Sequence, residues 1–208
     1  MRRIPSVRPT TAIASLALVL SLGACSLGSD DTVADKRSPD DTSAAGESPS
    51  AAPSGEPGSP ESAGLDPNNL PEPVASATIP ARTGEGDQSD ATMTVELLGL
   101  SREGRTVVGQ FAFTIDAAAG SEPNHLYHYL GNSGWAPFFI DNTNLKRHRV
   151  LSDSSGVIRA QTDYQGGKFG PGQTFYAFAV FAAPPEDVTE VDVAMVDGAP
   201  LATGITIQ

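Results

Sequence analysis

All 13 aromatic residues of this 208-residue chain lie between Phe111 and Phe181. Large rings supply much of the area that a small domain removes from water. A packed core is therefore expected in the second half of the chain and not in its first 90 residues. The 118 residues from Ala91 to Gln208 suffice for one such core and hardly for two.

Within that half the apolar residues recur with a period of two. Met93, Val95 and Leu97 alternate with Thr94, Glu96 and Leu98, and Gly99 follows. After a turn at Arg102-Glu103-Gly104-Arg105, Val107, Phe111, Phe113 and Ile115 share one face with Gly109, and Gln110, Ala112 and Thr114 take the other. Val191, Val193 and Met195 alternate with Glu190, Asp192 and Ala194, and Ile205 and Ile207 share a face of a closing strand. Such alternation is the mark of half-buried strands. Phe175 to Phe181 is apolar on both faces, which predicts a central strand covered on both sides. Turns are marked by Ser154-Ser155-Gly156, Gly170-Pro171-Gly172 and Asp197-Gly198. No window carries sustained helical periodicity. The expected fold is all-β, an immunoglobulin-like β-sandwich of seven or eight strands over residues 91–208.

Residues 26–89 have a different composition. They hold 9 of the 17 prolines, no aromatic residue, and 12 acidic residues against Lys36, Arg37 and Arg82. Low hydrophobicity combined with net negative charge cannot offset chain entropy, so residues 25–90 read as a disordered tether. A flexible coil of 64 residues would reach about 45 Å root-mean-square, enough to lift a domain clear of a membrane surface.

Ahead of the tether, Arg2, Arg3 and Arg8 precede 13 uncharged residues from Ala12 to Ala24. A basic start, a short apolar run and small residues at its end form a secretory signal peptide, here residues 1–24. The run is shorter than the roughly 20 residues of a membrane-spanning helix. Leu22-Gly23-Ala24-Cys25 resembles a bacterial lipobox, in which the cysteine is lipidated and becomes the new N-terminus. Cys25 is the only cysteine, so it has no disulfide partner within the chain. Acylation would remove the odd thiol and anchor the protein on the outer face of the cell membrane.

The stretch "GPGQTFYAFAVFAAPPEDVTEVDVAM" is similar to a pattern in secreted and lipid-anchored actinobacterial proteins that carry an immunoglobulin-like domain. The matching residues are Pro171, Gly172, Phe181, Ala183, Pro184, Pro185, Asp187, Val188, Thr189, Val191 and Val193. "VELLGLSREGRTVVGQFAFT" resembles that family's first hairpin, and "NLKRHRVLSDSSG" its middle strand. The resemblance implies a fold and a compartment, and carries no active site.

Residue patterns give no catalytic constellation, so no enzyme activity and no cofactor are expected. His125 and His128 have H-x-x-H spacing, but in a stretch that reads as a loop, with no cysteine to complete a metal site. Asp141-Asn142-Thr143-Asn144 lacks the glycine and glutamate of a calcium loop (Lys146 and Ser152 stand there) and reads as an Asx-type turn. Gly166-Gly167-Lys168 is followed by Phe169 rather than Ser or Thr, so it is a turn and not a phosphate loop. Lys146-Arg147-His148-Arg149 is the one basic cluster, and on a strand its members alternate between faces. From Ala91 onward, 7 Lys and Arg face 12 Asp and Glu, which argues against a nucleic-acid partner.

The function expected is therefore that of a lipid-anchored envelope protein with a non-catalytic interaction module. Its partners would be the membrane, through Cys25, and an envelope protein or wall polymer. A structural or assembly accessory and an unrecognised hydrolase are the alternatives. Residues 116–144 form the longest interruption of the strand pattern. They carry Tyr127, Tyr129 and Trp135, candidate partner-binding rings on a long loop.

Overall fold

The structure, a computed structural model, describes residues 55–84, 91–118, 120–158 and 160–208. The expected signal peptide, Cys25 and the first part of the expected tether lie outside the described residues. Ten strands follow in chain order: β1 (Ala75–Ala81), β2 (Ala91–Glu103), β3 (Thr106–Asp116), β4 (Asn124–His125), β5 (Phe138–Asp141), β6 (Lys146–Arg149), β7 (Lys168–Phe169), β8 (Thr174–Ala182), β9 (Glu190–Ala194) and β10 (Ala202–Thr206). One helical turn, α1 (Leu126–Tyr129), and a 3-10 turn at Glu61–Ala63 complete the described elements.

Eight strands build two four-stranded antiparallel sheets, ordered β1-β2-β3-β8 and β10-β9-β5-β6, and β4 and β7 pair as a small separate ribbon. With β2 taken as strand A, the orders A-B-E and G-F-C are those of an immunoglobulin-type sandwich. Here β1 is added outside A and β6 outside C. Residues 150–151 and 160–162 bond to the free side of β8, through the bridges Val150↔Phe181 and Gln161↔Ala179 among others, where strand D of that plan would lie. The all-β sandwich expected from the sequence is thus the observed architecture.

Inward-facing residues of both sheets make one core. Met93, Val95, Leu97, Phe111, Phe113, Phe175, Phe181, Phe139, Val191 and Val193 are all buried in it. The alternation read from the sequence holds along β2 as far as Leu97, where the register slips. Leu97 pairs with Phe111 and Gly99 with Gln110, leaving Leu98 as a bulge residue. A single extra residue resets which face later side chains point to. Leu97 and Leu100 therefore both reach the main core, whereas Leu98 joins a second cluster with Ala63, Leu65 and Ala112 on the outside of the same sheet. Tyr176 of β8 packs against that second cluster, so β8 is covered on its outer face by chain from outside the 91–208 segment.

This corrects the expected boundary of the tether at residue 90. Strand β1 pairs with β2 over seven residues, from Ala75↔Leu97 to Ala81↔Ala91, and buries Ile79 and Ala81. Further upstream, the Tyr176 N–H donates to the Gly58 carbonyl at 2.9 Å, and Gln110 Nε2 donates to the carbonyls of Ala63 and Gly64. Gly58 has φ +92°, and a Cβ there would stand 2.3 Å from the Phe175 ring. The folded domain thus includes residues that composition alone assigned to the tether. Its added strand is rich in alanine and contains Pro80, which a sheet tolerates because β1 is an edge.

The 116–144 stretch is also more structured than a loop. It contains β4, α1 and the whole of β5. The four residues of β5 sit between Pro137 and Asn142, too short a span for alternation to show.

Candidate functional site

Two of the three rings proposed for a binding loop belong to the interior. Trp135 stands three residues before β5 and is buried between Phe111 and Phe113, edge-on to both at 5.1 and 5.4 Å. Its indole N–H donates to the Met195 carbonyl at 2.9 Å. Tyr129, on the last turn of α1, is equally buried, donates its hydroxyl to the Phe169 carbonyl at 2.7 Å and accepts the Asn124 N–H. Burial pushes its hydroxyl pKa up, and the Asn124 bond offsets part of that rise. A partner cannot touch either ring without opening the core, so Trp135 and Tyr129 are corrected from contact residues to packing residues. Only Tyr127 is partly exposed, and it stacks on Tyr164 at 6.2 Å.

The histidines are engaged within the fold. His125 Nδ1 bonds the Gly167 carbonyl at 3.0 Å, which ties α1 to the chain leading into β7. His148 lies on β6 with its ring stacked flat on Phe139 at 4.6 Å, and its Nδ1 bonds the Ala182 carbonyl of the opposite sheet. No group of three His, Cys, Asp or Glu that could hold a metal ion occurs among the described residues. Asp141 is fully buried and closes the β5–β6 turn by accepting the backbone N–H and side-chain amide of Asn144 at 2.9 and 2.8 Å. Burial works against its charge, but the bonds from Asn144 and Thr143, together with nearby His148, outweigh that and hold the carboxyl below the usual carboxylate range. Its role is to close a turn.

The feature with binding chemistry lies on the outer side of β5 and β6. In this hairpin Phe138 pairs with Arg149, Phe139 with His148 and Ile140 with Arg147. Alternation turns Phe139 and His148 inward and leaves Phe138, Ile140, Arg147 and Arg149 on the outer face. The same alternation that seemed to scatter the basic cluster thus places two arginines side by side. The Arg147 guanidinium lies over the Phe138 ring, 5.0 Å from its centroid.

A groove of about 410 Å³ opens here, lined by the apolar Pro137, Phe138, Val150 and Ile158 and by Arg147 and Arg149. Ile158 is held in place by a turn built on Asp153. That carboxylate accepts the N–H groups of Ser155 and Val157, and Ser152 bridges to Ile158 across the turn. Ile158 is 44 % exposed, and Asp197 also lines the groove. Among the described residues neither arginine is ion-paired. A second, wider groove of about 570 Å³ shares Ile158 and is lined by Gln161, Thr162, Asp163, Tyr164 and Gln165, so Tyr127 borders it through its stack on Tyr164.

Arg147, Arg149 and Phe138 went unrecognised in the sequence because β5 was hidden in a presumed loop. The i, i+2 spacing of the two arginines was the available signal. Comparison with protein-family models, with curated proteins and with solved structures returns no match to this chain.

Proposed function

We propose that this protein is a lipid-anchored extracytoplasmic binding module, held at the outer face of the membrane through acylated Cys25. The observation that carries this reading is the placement of the only cysteine. It follows Leu22-Gly23-Ala24 at the end of a 13-residue apolar run with arginines before it. A thiol at that point has a chemical role as the acceptor of a diacylglyceryl group on its sulfur, and it has no disulfide partner within the chain. The described sandwich begins some 30 residues downstream, and the intervening Pro-, Ser- and acid-rich chain is long enough to present it away from the lipid surface.

The sandwich serves as a rigid frame. Its interior is filled by side chains, and its functional groups are grooves on the outside of the β5–β6 hairpin. This arrangement supports binding rather than bond-making, because the buried Asp141 and Tyr129 and the half-buried His148 each make turn or packing bonds. The likeness of the 171–193 segment to actinobacterial envelope proteins supports the same compartment. Membrane fractionation of the native chain against Cys25→Ser tests the anchor, and capture from envelope extracts on the immobilised chain tests the module. The reading predicts membrane recovery only for the native chain and a retained envelope component. Equal membrane recovery of both chains would overturn the anchor.

A further inference from the structure

We infer that the groove between β6 and the Asp153 turn binds an anion carried on an apolar body, that is, a carboxylate or phosphate head attached to a hydrocarbon chain or ring. The inference deepens the binding-module reading and rests on it for the compartment alone.

Four observations converge on it. First, Arg147 and Arg149 point to the same side of β6, within a four-residue strand that carries three of the seven basic residues found from Ala91 onward. Second, neither guanidinium is neutralised by an ion pair among the described residues, although acidic residues outnumber basic ones in this domain. Third, Arg147 rests over the Phe138 ring, which holds the guanidinium at the groove and reduces the freedom lost on binding. Fourth, the surface beside the arginines is concave, and Pro137, Phe138, Val150 and Ile158 give it an apolar part within a volume in the range of small-ligand sites.

Arginines on an edge strand also serve to block edge-to-edge pairing. That accounts for charge on β6. It gives no reason for an apolar hollow next to the charge, or for an isoleucine presented there on a turn organised by a carboxylate. Guanidinium forks match carboxylate and phosphate oxygens, and the hollow matches what such a group carries. The anionic head belongs at Arg147 and Arg149, with the apolar body against Phe138, Val150 and Ile158.

The test uses the full chain carrying Cys25→Ser, with backbone and arginine Nε–Hε resonances followed by NMR while decanoate is added below its micellar range. Shifts centred on Phe138, Arg147, Arg149 and Ile158 are expected, and decanol, which lacks the anion, should bind about tenfold more weakly. The Arg147→Ala/Arg149→Ala pair should lose about tenfold or more in decanoate affinity while its melting temperature stays unchanged. Inorganic phosphate, which lacks the apolar body, should bind more weakly than decyl phosphate. Decanol binding as tightly as decanoate, full affinity in the double variant, or shifts that avoid these residues would each overturn the proposal. None of these results bears on membrane fractionation of Cys25→Ser, so failure of the groove and failure of the anchor are distinguishable. Sedimentation with phosphatidylglycerol vesicles but not phosphatidylcholine vesicles, lost in the double variant, would identify a lipid head group as the source. Decanoate binding without such sedimentation would identify a free amphiphile.

Discussion

The indole N–H of Trp135 donates to the carbonyl of Met195 at 2.9 Å, joining the chain just before β5 to the residue that follows β9, its neighbour in the same sheet. The ring beneath that bond is clamped edge-on by Phe111 and Phe113 of the opposite sheet. One side chain thus packs the two sheets together, while its buried hydrogen bond fixes it within its own sheet.

Trp135→Ala should therefore cost about 3–5 kcal/mol in thermal or chemical unfolding, the range for removing a buried ring. Trp135→Phe, which keeps most of the volume and strands the Met195 carbonyl, should cost about 1–3 kcal/mol. Tyr127→Ala removes only a partly exposed stack and should cost about 1 kcal/mol. Equal losses for Trp135→Ala and Tyr127→Ala would contradict the placement of these rings.

The start of the domain is open to a truncation test. A chain beginning at Ala91 lacks β1 and the 55–65 segment, so it exposes the outer edge of β2 and uncovers Leu98, Ala112 and Tyr176. It should melt well below a chain beginning at Ser54, and Gly58→Ala should shift the longer chain in the same direction through its clash with Phe175. Identical melting of the two truncations would return residues 55–84 to the tether.

Arg102 spans the Pro184-Pro185 turn, with Nη1 donating to the Pro184 carbonyl at 2.8 Å and Nη2 to the Val188 carbonyl at 3.0 Å. Lysine cannot reproduce that fork. Arg102→Lys and Arg102→Ala should both destabilise the domain, the alanine variant by about 1.5–3 kcal/mol, as for hydrogen bonds from a charged donor. A lysine variant with native stability would show that the fork does not hold the turn.

Asp141 sets an acid limit. Its folded pKa lies below the unfolded value of about 3.9, so the folded state favours the ionised form. The resulting stability is fully present above that unfolded value and is lost as pH falls through the lower folded one. Unfolding measured from pH 5 downward should show native protein losing stability in this window more steeply than Asp141→Asn. Parallel curves would mean that Asp141 is not held in its ionised form by the Asn144 turn.

How much of this was legible in sequence varied by element. Met93, Val95 and Leu97 announced β2 because each faces a core while its neighbours face out. Leu100 did not, because the bulge at Leu98 shifts its phase and bulges leave no mark in a hydrophobic pattern. Strand β1 escaped notice for a different reason: small residues and a proline can line an edge that needs hydrogen bonds on one side only. The burial of Tyr129 and Trp135 could not be read from spacing, since their partners Phe169, Met195, Phe111 and Phe113 lie on three other segments. The pairing of Arg147 with Arg149 was present as an i, i+2 repeat. What the sequence could not supply was the concavity, which depends on the Asp153 turn carrying Ile158 up beside Phe138.

If lipidated Cys25 tethers this sandwich to the membrane, the intact mass and N-terminal peptide of protein recovered from bacterial membranes will show it. A mature chain that begins at Cys25 and carries a diacylglyceryl group on its sulfur is expected. A mature chain with a free Cys25 thiol, or one cleaved elsewhere, would contradict it.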